Sequence, residues 1–399
     1  MTRPEEIARL APDTLGELDA RALRVADERR VHSWILRACE GLAAEAERRA
    51  GDETTRLSRA VFHDAVVTAI PTAAELVEAS RALGNRAPIG HVAMLLPSNV
   101  ETAVVRPLVW ALLCRDAVAM RVSSRCAGIA APLVAQLVRA DPALGRALGV
   151  LALEREDHAG FASLSGWADA MHAWGHDETI ARLEASLGRR VVAHGSGLSL
   201  AVVSREGSGA LDLAALARDV ARHDQRGCLS PHAIVLEEGA ALDATTLARR
   251  LFATLTELEA RWPRGRIEPH EAALERSWRD TAMALADWVG VAPHHAVSVE
   301  RGAIRDTPGL RNIAVHAMSR AAIESLLVRL GSSLKCVGVA EPAGWIEAAA
   351  GKAHVVPLGR MQIPGLLAPA DGAPPWAGLV AAGPAIAEHA DHLARKREP

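Results

Sequence analysis

The sequence predicts an α/β fold built from two units. Its 399 residues correspond to two or three domains at about 150 residues per domain. From residue 90, short apolar runs alternate with helix-like segments, and the alternation restarts past residue 225. Such alternation is typical of βαβ units, in which helices cover both faces of a parallel sheet.

The first unit is predicted to begin with helices over 1–60, where apolar residues recur at helical spacing. Gly84 then interrupts the pattern. The strands predicted next are 91–96, 117–122, 148–153, 168–174 and two runs within 190–203. Helices are predicted over 101–114 and 127–140.

The second unit has the same alternation. Asp243 is a suitable N-cap for a helix reaching Trp262. Further helices are predicted over 268–289, 321–330 and 345–350, and strands over 233–236, 297–299, 312–316, 335–340 and 354–358. The Pro-, Gly- and Ala-rich segment 362–387 is predicted to be an irregular arm.

Composition excludes several classes of protein. A net charge of −3 argues against a surface for nucleic acid. No apolar stretch reaches the ~18 residues of a membrane span, and Glu5 stands where a signal peptide needs an apolar run. Five scattered cysteines without a C-x-x-C pair indicate a reduced, cytoplasmic protein.

Common phosphate-binding, hydrolase and metalloprotease motifs are absent. The sequence has no G-x-x-x-x-G-K-[ST], G-x-G-x-x-G, G-x-S-x-G or H-E-x-x-H. The histidine pairs 172/176, 294/295 and 389/392 do not form a recognised ligand motif, so no metal site is expected.

Cys228 differs from the other four cysteines, for which packing roles are expected. It lies in D-Q-R-G-C-L-S-P-H (224–232), between a predicted helix and a predicted strand, beside Gly227. Reactive groups are common in loops at the carboxyl edge of an α/β sheet, where we expect this segment. On pattern alone, a nucleophile and a structural cysteine both remain open.

Several segments in the same order resemble the LuxC-like acyl-CoA reductases of the aldehyde dehydrogenase superfamily. They are 95–100 (L-L-P-S-N-V), 117–124 (A-V-A-M-R-V-S-S), 168–180 (A-D-A-M-H-A-W-G-H-D-E-T-I), 224–231 (D-Q-R-G-C-L-S-P), 336–342 (C-V-G-V-A-E-P) and 359–364 (G-R-M-Q-I-P). The resemblance implies an aldehyde-dehydrogenase-like fold. Its Rossmann-type cofactor-binding domain with a helical cap would span 1–225, its catalytic domain 226–365 and a C-terminal arm 366–399.

The resemblance also implies a reaction, the reduction of a fatty acyl thioester to an aldehyde. Cys228 would be the nucleophile, and the Asn99 amide with the Cys228 N–H would stabilise the oxyanion. The thiol needs a lowered pKa at neutral pH, for which His223, His232 and Arg226 are candidates.

The resemblance assigns the cofactor to the segment after the second strand. Where relatives often read K-P-x-E, this chain has Arg121, Ser123 and Ser124, which suit a 2′-phosphate and predict NADP(H). Alternatively, Arg121 only caps the strand edge. Trp174 and Gly175 would place a helix N-terminus near the pyrophosphate.

Three departures from the family pattern keep other functions open. Ala193 or His194 stands where hydrolytic relatives have a glutamate base, which disfavours acid formation. No E-E-I-F-G-P-like segment is present, and His176 replaces a turn glycine. The alternatives are an aldehyde dehydrogenase working oxidatively, with or without coenzyme A, and a non-catalytic binding protein. The superfamily also implies a homo-oligomer, and the luminescence relatives imply acyl-transferring partner enzymes.

Overall fold

The structure is a computed structural model that describes residues 9–49, 55–97, 99–122, 127–151, 153, 157–187 and 191–381. Two sheets form its framework, one for each predicted unit. The chain therefore has the predicted α/β architecture.

The first sheet has six strands in the order β1-β4-β3-β2-β5-β6, and all its pairings are parallel. The strands are β1 (Arg9–Leu10), β2 (His91–Leu95), β3 (Ala117–Arg121), β4 (Leu148–Leu151), β5 (Ala170–Trp174) and β6 (Val191–His194). The inner strands are apolar and almost wholly buried, as expected for a sheet covered on both faces.

Helices pack on both faces of this sheet. They are α1 (Arg21–Val25), α2 (Glu28–Arg49), α3 (Arg59–Ala69), α4 (Ala73–Leu83), α5 (Val105–Cys114), α6 (Ala127–Ala140), α7 (His158–Trp167) and α8 (Asp177–Leu187). Val92 and Met94 pack in the core with α2 to α6, whereas the alternate residues Ala93 and Leu95 pack with α7 and α8. This alternation follows from the two-residue period of a strand.

Helix α4 shows how the sequence sets its own ends. Thr72 and Glu75 form a capping box at its start, and Gly84 follows its last residue with φ of 59°.

No single described helix is both long and apolar enough to cross a membrane, whereas the bent pair Arg59–Ala69 and Ala73–Leu83 passes that test of length and composition together.

The second sheet has seven strands in the order β13-β12-β7-β8-β11-β10-β9. They are β7 (Leu198–Val203), β8 (Pro231–Glu237), β9 (Trp288–Ala292), β10 (His295–Val299), β11 (Asn312–Met318), β12 (Leu334–Val339) and β13 (His354–Pro357). Only the edge strand β9 is antiparallel to its neighbour among these described pairings.

The helices of the second unit are α9 (Leu213–Ala221), α10 (Ala244–Glu259), α11 (Pro269–Leu285), α12 (Arg320–Leu330) and α13 (Gly344–Ala350). The Asp243 carboxylate accepts from the N–H of Thr246 at 2.9 Å, so the predicted N-cap is confirmed. The predicted helix 268–289 is wrong at its end, because the chain turns extended at Ala286 and Trp288–Ala292 pairs with β10. Trp and Val favour strands, which opposes the helical reading of this end.

The chain passes from the first sheet to the second between His194 and Leu198, before the predicted boundary at 225. The two apolar runs within 190–203 are neighbours in sequence but belong to different sheets. The division into cofactor-binding and catalytic domains stays a prediction.

The C-terminal segment returns to the first unit, and it is irregular as far as Ala381. The Trp110 indole N–H donates to the carbonyl of Leu366 at 2.8 Å, and Ala381 N–H donates to the carbonyl of Ala87 at 2.9 Å. This segment therefore packs against the first unit.

Candidate active site

A cavity of about 1110 Å³ lies where the carboxyl ends of the first sheet meet loops of the second unit. Asn99, Trp174 and His194 come from the first sheet's edge, and Cys228 comes from the loop before β8. Cys228 therefore lies at the amino end of its own strand, which corrects the expected placement. The loop faces the carboxyl edge of the other sheet instead.

The Cys228 loop is held in an uncommon backbone conformation. His223, Asp224 and Gln225 have φ of 51°, 51° and 59°, in the left-handed region that non-glycine residues rarely adopt. Three such residues in succession cost free energy, so surrounding contacts must hold them there.

Those contacts centre on the fully buried carboxylate of Asp224. Its Oδ1 lies 2.7 Å from a guanidinium nitrogen of Arg311, and its Oδ2 lies 3.1 Å from one of Arg226 and 3.0 Å from the N–H of Gly265. Two cations and a backbone donor thus surround the charge, as burial of a carboxylate requires.

Arg226 is fully engaged by the protein. Its Nε lies 3.1 Å from Glu271 Oε1, and its backbone carbonyl accepts from the Asn99 amide at 2.7 Å. Burial would raise the pKa of Glu271, but hydrogen bonds from Arg226, Glu268 N–H and Arg56 lower it to about 2. Arg226 therefore orders the loop. Although it is a candidate from the sequence for activating the thiol, its guanidinium is engaged by other residues.

Cys228 is exposed to the cavity, whereas Cys39, Cys114 and Cys336 are buried, as predicted for packing residues; Cys126 lies outside the described residues. Desolvation by the surrounding protein raises the pKa of the Cys228 thiol, and the negative charge of Asp371 raises it further. Lys335 and the N–H groups of Cys228 and Leu229 lower it.

Neither flanking histidine is among the groups with the largest effects on the pKa of Cys228. Burial lowers the pKa of His223 to about 3, so this imidazole is neutral. His232 Nδ1 lies 3.2 Å from Ser199 N and 3.0 Å from the Ser230 carbonyl, and burial lowers its pKa too. The structure does not join either imidazole to the thiol.

A polar network beside the thiol was missed from the sequence. Asp371 Oδ2 lies 2.7 Å from His194 Nδ1, and Asp371 Oδ1 lies 2.5 Å from Lys335 Nζ. His194 Nε2 lies 3.3 Å from His172 Nδ1. A Cβ on Gly197 would overlap the stem of Lys335, which explains the glycine. No local signal pointed to Asp371, which lies in the irregular C-terminal segment.

The predicted cofactor residues line one end of the cavity. Arg121 ends β3, and its Nε donates to the carbonyl of Leu153 at 3.2 Å. Trp174 stacks on His194 with ring centroids 4.2 Å apart, and Gly175 N–H donates to the carbonyl of His194 at 3.3 Å. Ser123 and Ser124 lie outside the described residues. No group of three or more His, Cys, Asp or Glu in the described ranges could hold a metal ion.

Residues 77–381 match the model of a family described as "Acyl-CoA reductase (LuxC)". The chain belongs to this family. No curated protein sequence matches the chain.

The LuxC-family chain has the aldehyde dehydrogenase fold. An aldehyde dehydrogenase from Brucella melitensis biovar abortus superposes with a TM-score of 0.69 at 16% identity, covering 88% of this chain and 82% of that chain. Glyceraldehyde-3-phosphate dehydrogenase from Methanocaldococcus jannaschii, complexed with NADP, gives 0.67 at 9% identity, with 89% and 85% covered. An acetylating aldehyde dehydrogenase from Geobacillus thermoglucosidasius gives 0.61 at 15% identity, with 90% and 88% covered.

The Asp224 cluster predicts a stability effect in this LuxC-family protein. Asp224→Asn leaves Arg311 and Arg226 without their shared carboxylate and should cost about 3–5 kcal/mol, as for other broken buried pairs. Urea denaturation measures the loss. In the control, Asp287→Asn removes an exposed pair with Arg301 and should change stability by less than about 1 kcal/mol. Equal effects of the two substitutions would contradict the role given to the cluster.

Lys335 and Asp371 should move the reactivity of Cys228 in opposite directions. Lys335→Met removes a charge that lowers the thiol's pKa, so alkylation by iodoacetamide at neutral pH slows. Asp371→Asn removes a charge that raises the pKa, so alkylation accelerates. Alkylation rates recorded against pH give both shifts: the profile moves to higher pH for Lys335→Met and to lower pH for Asp371→Asn. Shifts in the same direction would contradict the opposite effects assigned to the two charges.

Proposed function

We propose that this protein reduces an acyl thioester, either an acyl-CoA or an acyl group on a protein, to the aldehyde with NADPH. The observation that carries the proposal is Cys228 itself. It is exposed in a cavity, on a loop that the buried Asp224 cluster holds in a strained conformation. Such strain is typical of functional sites, and membership of the LuxC family supports the same reaction.

The reaction has two halves. The Cys228 thiolate attacks the acyl carbon and expels the thiol of the substrate, which takes up a proton, so the acyl group becomes a cysteine thioester. Bound NADPH supplies the hydride that reduces the acyl carbon. The resulting hemithioacetal on Cys228 collapses, which regenerates the thiolate and releases the aldehyde.

Asn99 and the Cys228 N–H are the proposed oxyanion donors. One N–H of the Asn99 amide holds the carbonyl of Arg226, and an amide carries a second. The same side chain therefore orders the cysteine loop and has a donor left for the substrate oxygen. Each such donor is worth roughly 3–4 kcal/mol in the transition state.

The carboxylates of the cavity support reduction rather than hydrolysis. Glu271 and Asp371 are the acidic residues among its described lining, and both are ion-paired. A salt-bridged carboxylate is a poor general base for water. The acyl-enzyme should therefore persist until a hydride or another thiol reacts with it. Oxidation of an aldehyde to acyl-CoA is the same chemistry in reverse, and it would show as coenzyme A-dependent oxidation.

NADP(H) is proposed because the cavity end that contains Arg121 suits a 2′-phosphate. Among the described residues, Phe161, Thr179, Arg182 and Ser186 also line this end, and Arg182 adds a second cation. A ribose with a free 2′-OH is usually held by a carboxylate, whereas a 2′-phosphate is bound by arginine. Gly175 lines the cavity just before helix α8, whose N-terminus suits the pyrophosphate.

We also propose a cytoplasmic homo-oligomer. The four described cysteines are free, which suits a reducing compartment.

Leu285 and Val291 expose 72% and 44% of their surface beside the edge strand β9, which supports association of chains there. If the acyl donor is a protein, it would be an acyl-transferring partner enzyme.

Intact-mass spectrometry after incubation with acyl-CoA, without NADPH, tests the function. The wild-type chain should gain the mass of one acyl group, and Cys228→Ala should gain none and lose at least about 10³-fold in reduction rate. Cys39→Ala, which removes a buried thiol, should behave as the wild type. Reduction at an appreciable rate by Cys228→Ala would overturn the mechanism.

Calorimetric titration with NADP(H) and NAD(H) tests the cofactor. We expect NADP(H) to bind more tightly, and Arg121→Met to weaken NADP(H) binding by roughly 10- to 100-fold, the worth of a charge-assisted hydrogen bond, with little effect on NAD(H). A preference of the wild type for NAD(H) would refute the role of Arg121.

A further inference from the structure

The cavity extends across the carboxyl edge of the first sheet. Phe161 and Arg182 line it from α7 and α8, on one face of the sheet. Thr68 and Arg106 line it from α3 and α5, on the opposite face. Between these ends, the Cys228 loop packs against the segment that follows β2, since a Cβ on Gly227 would lie 3.4 Å from Val100. A cofactor at the Arg121 end therefore leaves the α3/α5 end for the acyl group.

The walls of the α3/α5 end are mostly apolar. Ala65, Ala69, Ala103, Pro107 and Trp110 line it. Such walls suit methylene groups, as expected for an acyl chain. The charged side chain of Arg106 lines the cavity beside them.

Arg106 is a half-buried cation without a carboxylate partner among the described residues. Within the described ranges, its hydrogen bonds run from Nε and one terminal nitrogen to the carbonyl of Leu366, both at 3.4 Å, which is long for a hydrogen bond. Burial lowers the pKa of Arg106 to about 10, and no acidic group counters that effect. An unpaired guanidinium in apolar surroundings is costly, so it points to an anion that completes it.

A structural role does not account for Arg106. The carbonyl of Leu366 already accepts a hydrogen bond of 2.8 Å from the Trp110 indole N–H. The fold therefore does not need Arg106 to satisfy that carbonyl. The acids of the cavity, Glu271 and Asp371, are ion-paired with other residues.

We propose that Arg106 binds a carboxylate at the far end of the substrate's acyl group, so that the preferred substrates are ω-carboxyacyl thioesters. The inference rests on the proposed function. The planar fork of the guanidinium matches a carboxylate in two parallel hydrogen bonds. The long contacts to Leu366 are easily given up for that pairing.

The test compares matched thioesters of N-acetylcysteamine, whose thiol part carries no phosphate. Glutaryl and adipoyl thioesters are compared with pentanoyl and hexanoyl thioesters of the same length. The wild type should have a kcat/KM higher by roughly 10- to 100-fold for the carboxylated member of each pair. Arg106→Met should remove that preference while retaining turnover of the alkyl thioesters, and Arg106→Lys should restore part of it.

Arg86→Met is the matched control, because Arg86 lies over Trp376, which packs against Trp110, yet does not line the cavity. It should keep the wild-type preference. A wild type that turns over alkyl thioesters as well as carboxylated ones overturns the proposal, and so does an equal loss on both in Arg106→Met. An effect of Arg106→Met confined to coenzyme A thioesters, whatever the acyl group, would assign Arg106 to a phosphate and also overturn it.

Direct binding separates this proposal from the proposed function. If no thioester acylates Cys228, the proposed function fails, and calorimetry with glutarate and adipate still tests the site. Binding to the wild type that Arg106→Met abolishes supports the carboxylate site, and no binding refutes it. Thermal unfolding confirms that the variants fold, and Arg106→Gln takes the place of Arg106→Met if the latter does not.

Discussion

The buried carboxylate of Asp224 is the constraint on which the candidate site depends. It has no exposed surface, and it binds Arg311, Arg226 and the N–H of Gly265 at once. These bonds hold three successive residues of the cysteine loop in the left-handed backbone conformation. Since Arg226 also receives the Asn99 amide on its carbonyl, one ion cluster in the second unit sets the position of a side chain from the first.

The charged residues around the thiol differ in what they do in the cavity. Glu271 and Asp371 are neutralised by cations, so they order loops and do not activate water. Lys335 counters Asp371 at the thiol, whereas Arg121 and Arg106 line opposite ends of the cavity. In the proposed reaction, a cavity of this kind would protect an acyl-enzyme from hydrolysis and attract anionic ligands.

Local patterns in the sequence were enough to predict the alternating helices and strands, because strand period, caps and turn residues act over a few positions. They also set Cys228, in its loop, apart from the cysteines that are buried. The end of helix α11 was misread, since 286–292 is compatible with either structure until β10 pairs with it. Asp371 and Arg106 could not be found in this way. Their roles depend on contacts with His194, Lys335 and Leu366, which are distant in sequence.

The most direct measurement is a single turnover of isolated acyl-enzyme. The wild-type chain is acylated by a radiolabelled thioester, freed of excess substrate by gel filtration and mixed with NADPH. Labelled aldehyde should appear in a one-to-one ratio to acylated Cys228 as the protein loses its label. Label that remains on the protein, or leaves as free acid, would contradict reduction through an acyl-cysteine.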